Sequence, residues 1–237
     1  MRKQIPRKRK SRACRELNLL MRSAAFTNWA KSQPRQIWTL GPKRQGLTRA
    51  DRSRQEFVGG HSWQLAVMGW TAVMAFNLPL DPLKVLLYGL LHDAGNEWYH
   101  GDTPAFQKNG HGSAEVPCRQ QKAERERLSR ERLRRGLGKD LSFLMNVIDA
   151  FDAQEDDESM FIYALDKVLA DINIAQDSGR TNIVLGADLP TVDLYKRQRV
   201  RRHPRVLEWY EELFSRLIKH EEKLFPVRQK KLKEAVS

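Results

Sequence analysis

The chain has 237 residues, 41% of them apolar, and a formal net charge of +13. No apolar run approaches the ~18–20 residues that a membrane span requires, and the basic N-terminus lacks the apolar stretch of a secretory signal. Two cysteines, Cys14 and Cys118, allow at most one disulfide and supply neither a disulfide framework nor a Cys-based zinc site; the expected setting is the reducing cytoplasm.

The charge is unevenly placed. Residues 1–54 carry 16 Lys/Arg against 2 Asp/Glu, whereas residues 55–237 carry 26 against 27. The high isoelectric point therefore describes a basic extension on a near-neutral body rather than a nucleic-acid-binding domain. Residues 1–12 (MRKQIPRKRKSR) read as a flexible basic tail. A helix is expected from Cys14 to Ala30, with Leu17, Leu20, Met21, Ala24 and Asn28 on one face. Residues 32–59, rich in Pro and Gly, read as a long, partly extended connection.

Helices are expected to dominate after Gly60. His61–Asn77 places Leu65, Met68, Ala72 and Ala75 on one face. Asp81-Pro82 has the form of an N-cap followed by proline at the first helical position, opening a second helix that runs through Leu91 to Asp93. Residues 100–113 read as a loop, and Ala114–Arg135 as a solvated helix with Glu131 four residues before Arg135. Lys139–Ala153 and Ser159–Gln176 are apolar at helical spacing. Residues 177–190 read as a loop around Gly179, Gly186 and Pro190. A last helix is expected over Pro204–Leu224, with Leu207, Tyr210, Leu213, Leu217 and Leu224 facing inward. There is no βαβ alternation and no internal repeat. The expected fold is all-α: a tail over 1–12, a helix and connecting segment over 13–59, one core over 60–226 and a basic C-terminal tail over 227–237.

Chemistry-bearing residues stand out against this apolar pattern. His92-Asp93 terminates a nearly all-apolar helix and so places an imidazole and a carboxylate at the edge of the core, where each needs a partner. A metal ion partners both. Asp166 interrupts the wide apolar face of Phe161, Leu165, Val168, Leu169 and Ile172, a costly position unless it is paired or ligated. Lys167 beside it is a candidate partner for a neighbour or for a substrate phosphate. Asp171 is the competing acid. His61, after Gly59-Gly60, lies on the apolar side with Leu65 and Met68. Two imidazoles and two carboxylates suit one divalent cation such as Mn, Co, Fe, Zn or Mg.

The ordered set His61, His92-Asp93 and Asp166 resembles the H…HD…D signature of the HD superfamily. Leu90-Leu-His-Asp-Ala-Gly-Asn-Glu-Trp-Tyr-His-Gly-Asp-Thr-Pro104 and Gly60-His-Ser-Trp-Gln-Leu-Ala-Val67 are similar to segments of its 5′-deoxynucleotidases. The resemblance spans roughly residues 35–175. It implies a single HD-type helical domain that hydrolyses a phosphate ester with one divalent ion. It implies catalytic roles for Glu97 and Asp102, although Glu97 here lies four residues after Asp93, one more than in that family. An Arg-Trp pair upstream of the first histidine is matched only by Arg35 and Trp38, which are not adjacent; they are carried over as substrate-binding residues beside Lys167. Arg49, Arg52 and Lys43 are alternatives.

The first functional expectation is a 5′-nucleotidase releasing phosphate from (deoxy)nucleoside monophosphates. The runner-up is a deoxynucleoside triphosphate triphosphohydrolase of the dATP type, and the third reading is a regulatory HD protein that contacts nucleic acid. Expected partners are the nucleotide, a second copy of the chain as in related nucleotidases, and nucleic acid held weakly through the N-terminal tail. His100 and His111 are candidates for a second metal. His203 and His220 are expected at the surface, and Trp63, Trp70, Trp98 and Trp209 in the core or on a substrate wall.

Overall fold

A strand pair leads into the helices. β1 (Pro34–Leu40) pairs antiparallel with β2 (Ser53–Phe57), Trp38 opposite Gln55 and Leu40 opposite Ser53, with a register irregularity between Pro34 and Trp38. The expected irregular connection over 32–59 thus contains a paired hairpin. Its second strand is polar (SRQEF) and offers no alternation that would mark it in the sequence. This computed structural model describes residues 21, 34–40, 53–94, 107–108, 114–115 and 119–225, with side chains described for 21, 56–94 and 123–225. The expected tails, most of the helix over 14–30, and Glu97, Trp98, His100, Asp102 and His111 lie outside the described residues.

β2 runs straight into α1 (Val58–Phe76), whose N-cap is Phe57. The helix starts three residues earlier than expected, so Gly59 and Gly60 form part of its first turn and His61 sits inside it. Asn77, in the left-handed conformation, ends it and donates its backbone N–H to Val73 O. Asp81 then caps α2 (Pro82–Leu91): its carboxylate accepts from the backbone N–H groups of Leu83 and Lys84, as Asp81-Pro82 predicts. Gly89 is required where α2 crosses α1. A Cβ there would lie 2.6 Å from Ala66 Cα, so the two helices meet backbone to backbone.

A two-residue strand pair, β3 (Gln107–Lys108) with β4 (Ala114–Glu115), precedes α3 (Arg119–Leu137). The charged helix therefore begins five residues later than expected. It is also not wholly solvated: Ser129, Leu133 and Leu137 are buried, and the last two pack with Leu141, Met145 and Ile148. Glu131 pairs with Arg127 through its carboxylate, while Arg135 reaches only the Glu131 carbonyl. After a 3₁₀ turn come α4 (Ser142–Ala153) and α5 (Asp157–Gln176), the central helix, which packs against α1, α2 and α4. Asp156 caps α5 through the Ser159 N–H. It also accepts from Tyr88 Oη at 2.8 Å and pairs with Lys84 at 2.8 Å, locking α2 to the start of α5.

The segment 177–190, expected as a loop, folds instead. α6 (Arg180–Leu185) is flanked by Gly179 and Gly186, both with positive φ, and Pro190 lies in the first turn of α7 (Leu189–Val200). Glycines read as loop formers are here the two ends of a short helix. Gly179 is doubly constrained, because a Cβ would meet the backbone of Leu224. The expected last helix divides at His220 into α8 (Pro204–Lys219) and α9 (Glu221–Leu224). Tyr210, Leu217 and Leu224 face inward as expected. Apart from the two strand pairs, the regular elements of the described residues are helical, and the fold is all-α.

The core forms around α5, where Phe161, Ile162, Ala164, Leu165 and Leu169 are fully or almost fully buried. Trp63 and Trp70 do not join it: both are exposed on α1, while Trp209 is partly buried against the core. His203, expected at the surface, is half-buried with its ring edge-on to Phe161 at 5.0 Å. Burial lowers its pKa.

Candidate metal centre

Three elements bring four side chains to one point. α1 supplies His61, fully buried, from its first turns. α2 ends at Leu91, and His92, still helical in its backbone with its N–H on Tyr88 O, and Asp93 follow at its C-terminus. α5 supplies Asp166 from mid-helix. His61 Nε2 lies 2.9 Å from Asp166 Oδ1 and 3.9 Å from Asp93 Oδ2. His92 Nε2 lies 3.1 Å from Asp93 Oδ2 and 3.9 Å from Asp166 Oδ1. The four candidates picked from the sequence are thus side by side, and His61, His92 and Asp93 form a cluster with the spacing of a metal site.

Each imidazole is oriented from behind. His92 Nδ1 is 3.0 Å from Gly89 O, an arrangement in which Nδ1–H donates to the carbonyl and the Nε2 lone pair points at the cluster. His92 Nε2 is buried and has no hydrogen-bond partner of acceptable geometry among the described residues. His61 Nδ1 faces Glu56 Oε2 at 3.4 Å. Glu56 is a residue that sequence reasoning missed. It is 5% exposed at the end of β2, and its other oxygen accepts from Asn173 Nδ2 at 2.9 Å. Asn173 also exchanges two hydrogen bonds with Gln64, at 3.1 and 3.2 Å. A carboxylate behind a histidine whose other nitrogen faces a cluster of acids is the usual outer support of a metal ligand. Only its position five residues before His61 marked it in the sequence.

The electrostatics separate Asp166 from its rival. Burial alone would push the Asp166 carboxyl up, but the Lys167 ammonium and the His61 imidazole outweigh it and hold it well below the usual carboxylate range. Asp166 is therefore an anion, with Oδ2 paired to Lys167 and Oδ1 turned to the histidines. Asp171 is buried on another side of α5 and is closed by the ammonium of Lys196, itself 4% exposed. It is a structural ion pair.

A polar cleft of about 230 Å³ opens over His92, Asp93 and Asp166. Lys167, Tyr163, Gln154 and the α3–α4 pair Arg130 and Asp152 complete its wall. Arg130 Nε lies 3.0 Å from Asp152 Oδ2. Burial pushes the Asp152 carboxyl up to about 6, against the lowering effect of Arg130. Arg130 and Asp152 were not singled out in the sequence, where they are one arginine of a charged run and one acid of several. A larger cavity of about 530 Å³ between α1, α5 and α8 is almost wholly apolar, and its Arg216 and Glu212 pair with each other. It carries no chemistry. Arg35 and Trp38 lie on β1, and their side chains lie outside the described residues.

The donor set suits a hard-to-borderline divalent cation: two oriented imidazoles, two carboxylates and one buried ring nitrogen without a hydrogen bond. The comparisons with known proteins point the same way. The family described as HD domain matches residues 41–206. A solved structure, that of a predicted metal-dependent phosphohydrolase from Magnetospirillum magnetotacticum MS-1, superposes with a TM-score of 0.66 at 22% identity. The match covers 91% of this chain and 99% of that one. No curated protein matches the chain.

Proposed function

The chain belongs to the HD-domain family, and from that premise we propose that it is a metal-dependent phosphohydrolase that releases phosphate from (deoxy)nucleoside monophosphates. The observation that carries the reading is the junction of the His61–His92–Asp93–Asp166 cluster with a cleft whose lining includes Arg130 and Lys167. Each cation stands beside a carboxylate of the same cleft, Lys167 on Asp166 and Arg130 on Asp152, and both are placed to meet a phosphoryl group that enters it. The size of the cleft supports a monophosphate. About 230 Å³ is less than the ~300–1,000 Å³ that encloses a whole drug-sized ligand, which favours a short phosphate over a triphosphate chain.

A divalent cation held by His61, His92, Asp93 and Asp166 would supply Lewis acidity to a phosphoryl oxygen and to the attacking water. The chain's own groups do the rest. Glu56 and Gly89 O hold the two imidazoles with their Nε2 atoms toward the cleft. Lys167 and Arg130 neutralise phosphate charge. Asp152 retains a proton up to about pH 6 and stands beside Arg130, in reach of the cleft. Glu97 and Asp102 are the catalytic acids that their match implies, a carboxylate there serving to position the water or to protonate the leaving alkoxide.

The test is a metal assay of purified protein joined to a substrate panel. One ion per chain and orthophosphate from nucleoside monophosphates are expected. Tripolyphosphate release from triphosphates would replace this reading with the triphosphohydrolase one. An intact metal site with no turnover on any nucleotide would favour a regulatory HD protein.

A further inference from the structure

We infer that the outer face of the α1–α2 pair is the surface on which two copies of this chain associate. The inference does not depend on the proposed reaction. α1 has no Asp, Glu, Lys or Arg in any of its 19 residues, yet one side of it faces solvent. Trp63, Val67, Trp70 and Met74 recur there at four- and three-residue spacing, with Trp63 64% and Met74 60% exposed. α2 repeats the pattern with Leu83, Leu87 and Leu90, the first 62% exposed.

The two stripes form one surface. The helices run antiparallel across the short link 77–81 and touch at Ala66 and Gly89. Counted at 100° per residue from that contact, both stripes fall on the side turned away from α5. Backbone contact leaves the pair little freedom to rotate the stripes inward.

Seven side chains of these sizes and exposures present roughly 700 Å² of apolar surface, more than the roughly 300–600 Å² of the largest patch on a typical monomer. Buried against its own copy, this makes about 1,400 Å² in total, inside the ~1,200–2,000 Å² of stable interfaces. The chemistry selects a second copy. The patch has no charge to steer a distinct partner, since Lys84 is spent on Asp156 and Glu158. A purely apolar, helix-built face is of the type found where identical subunits meet. The rival occupant is this chain's own segment 14–30. Its one described residue, Met21, belongs to that segment's apolar face and is itself 62% exposed.

The full-length protein at micromolar concentration should sediment at twice the 27.6 kDa of one chain. Trp63→Glu/Trp70→Glu should sediment at the single-chain mass, with the dimer dissociation constant raised at least about 100-fold. Met74→Lys is the milder second variant should the double change impair folding. Leu194→Glu, a charge at an exposed leucine of α7, should leave the dimer intact. Amide protection over 58–76 should fall on dilution. A monomeric wild type, a dimer that survives both α1 variants, or protection of α1 that ignores dilution (the mark of an internal occupant) overturns the proposal.

Discussion

Two buried aspartates five residues apart on α5 end in different chemistry. At the Asp171 end a lysine ammonium meets one oxygen of the carboxylate, while Oδ2 is buried without a hydrogen bond among the described residues and burial pushes the carboxyl up: Lys196 donates to Asp171 Oδ1 and also to the carbonyl of Lys167 at 3.0 Å. At the Asp166 end the lysine takes one oxygen only, and the other faces two imidazoles and a second carboxylate around a solvent-reaching cleft. A buried carboxylate that answers one buried ammonium is structure. A buried anion among oriented donors at a cleft is a place for an ion. The difference lies in what other helices bring, since both acids sit on the same apolar run.

The largest expected effect is at the open end. His61→Ala or His92→Ala should lower phosphatase turnover at least about 1,000-fold and abolish metal uptake, well beyond the ~10–100-fold that outer-shell changes cost. Steady-state rates and metal content on the same samples check this. At the closed end the effect is on stability. Lys196→Met strands the Asp171 carboxylate and should cost about 3–5 kcal/mol, read by denaturant unfolding, with metal stoichiometry unchanged. Adding Asp171→Leu to it should recover most of the loss.

Intermediate effects sharpen the contrast. Glu56→Gln keeps the contact to Asn173 but removes the charge behind His61; metal affinity should weaken by about 10–100-fold while melting of the metal-free protein changes little. Calorimetric titration with Mn²⁺ or Co²⁺ separates this from a folding defect. The smallest effect is pH-dependent. The Asp152 carboxyl, ordinarily near 3.8, is raised to about 6 in the folded chain. As pH climbs from about 4 to about 6, the unfolded chain releases this proton first, so the residue subtracts stability, by about 3 kcal/mol above pH 6. Asp152→Asn should gain on the wild type over that window in unfolding measured at pH 4, 5, 6 and 7.

Parts of this were legible in the sequence for local reasons. Asp81-Pro82 fixes the start of α2 within three residues, and a solid apolar run stopping at His92-Asp93 marks the site. Asp166 could be ranked above Asp171, but the partner of Asp171 could not be read, because Lys196 lies 25 residues further on in another helix. Glu56 was missed for the same reason: its role comes from His61 on α1 and Asn173 on α5, which meet it only in the fold. The segment 177–190 misled because glycines at both ends of a six-residue helix look like loop composition. Trp63 and Trp70 misled because tryptophan on an otherwise apolar helix reads as core.

The most direct test of the two-ended account is metal stoichiometry, by elemental analysis after equilibrium dialysis, for Asp166→Asn and Asp171→Asn side by side. The account predicts one ion per chain in the wild type and in Asp171→Asn, and none in Asp166→Asn. Retention by Asp166→Asn, or loss in a folded Asp171→Asn, would contradict it.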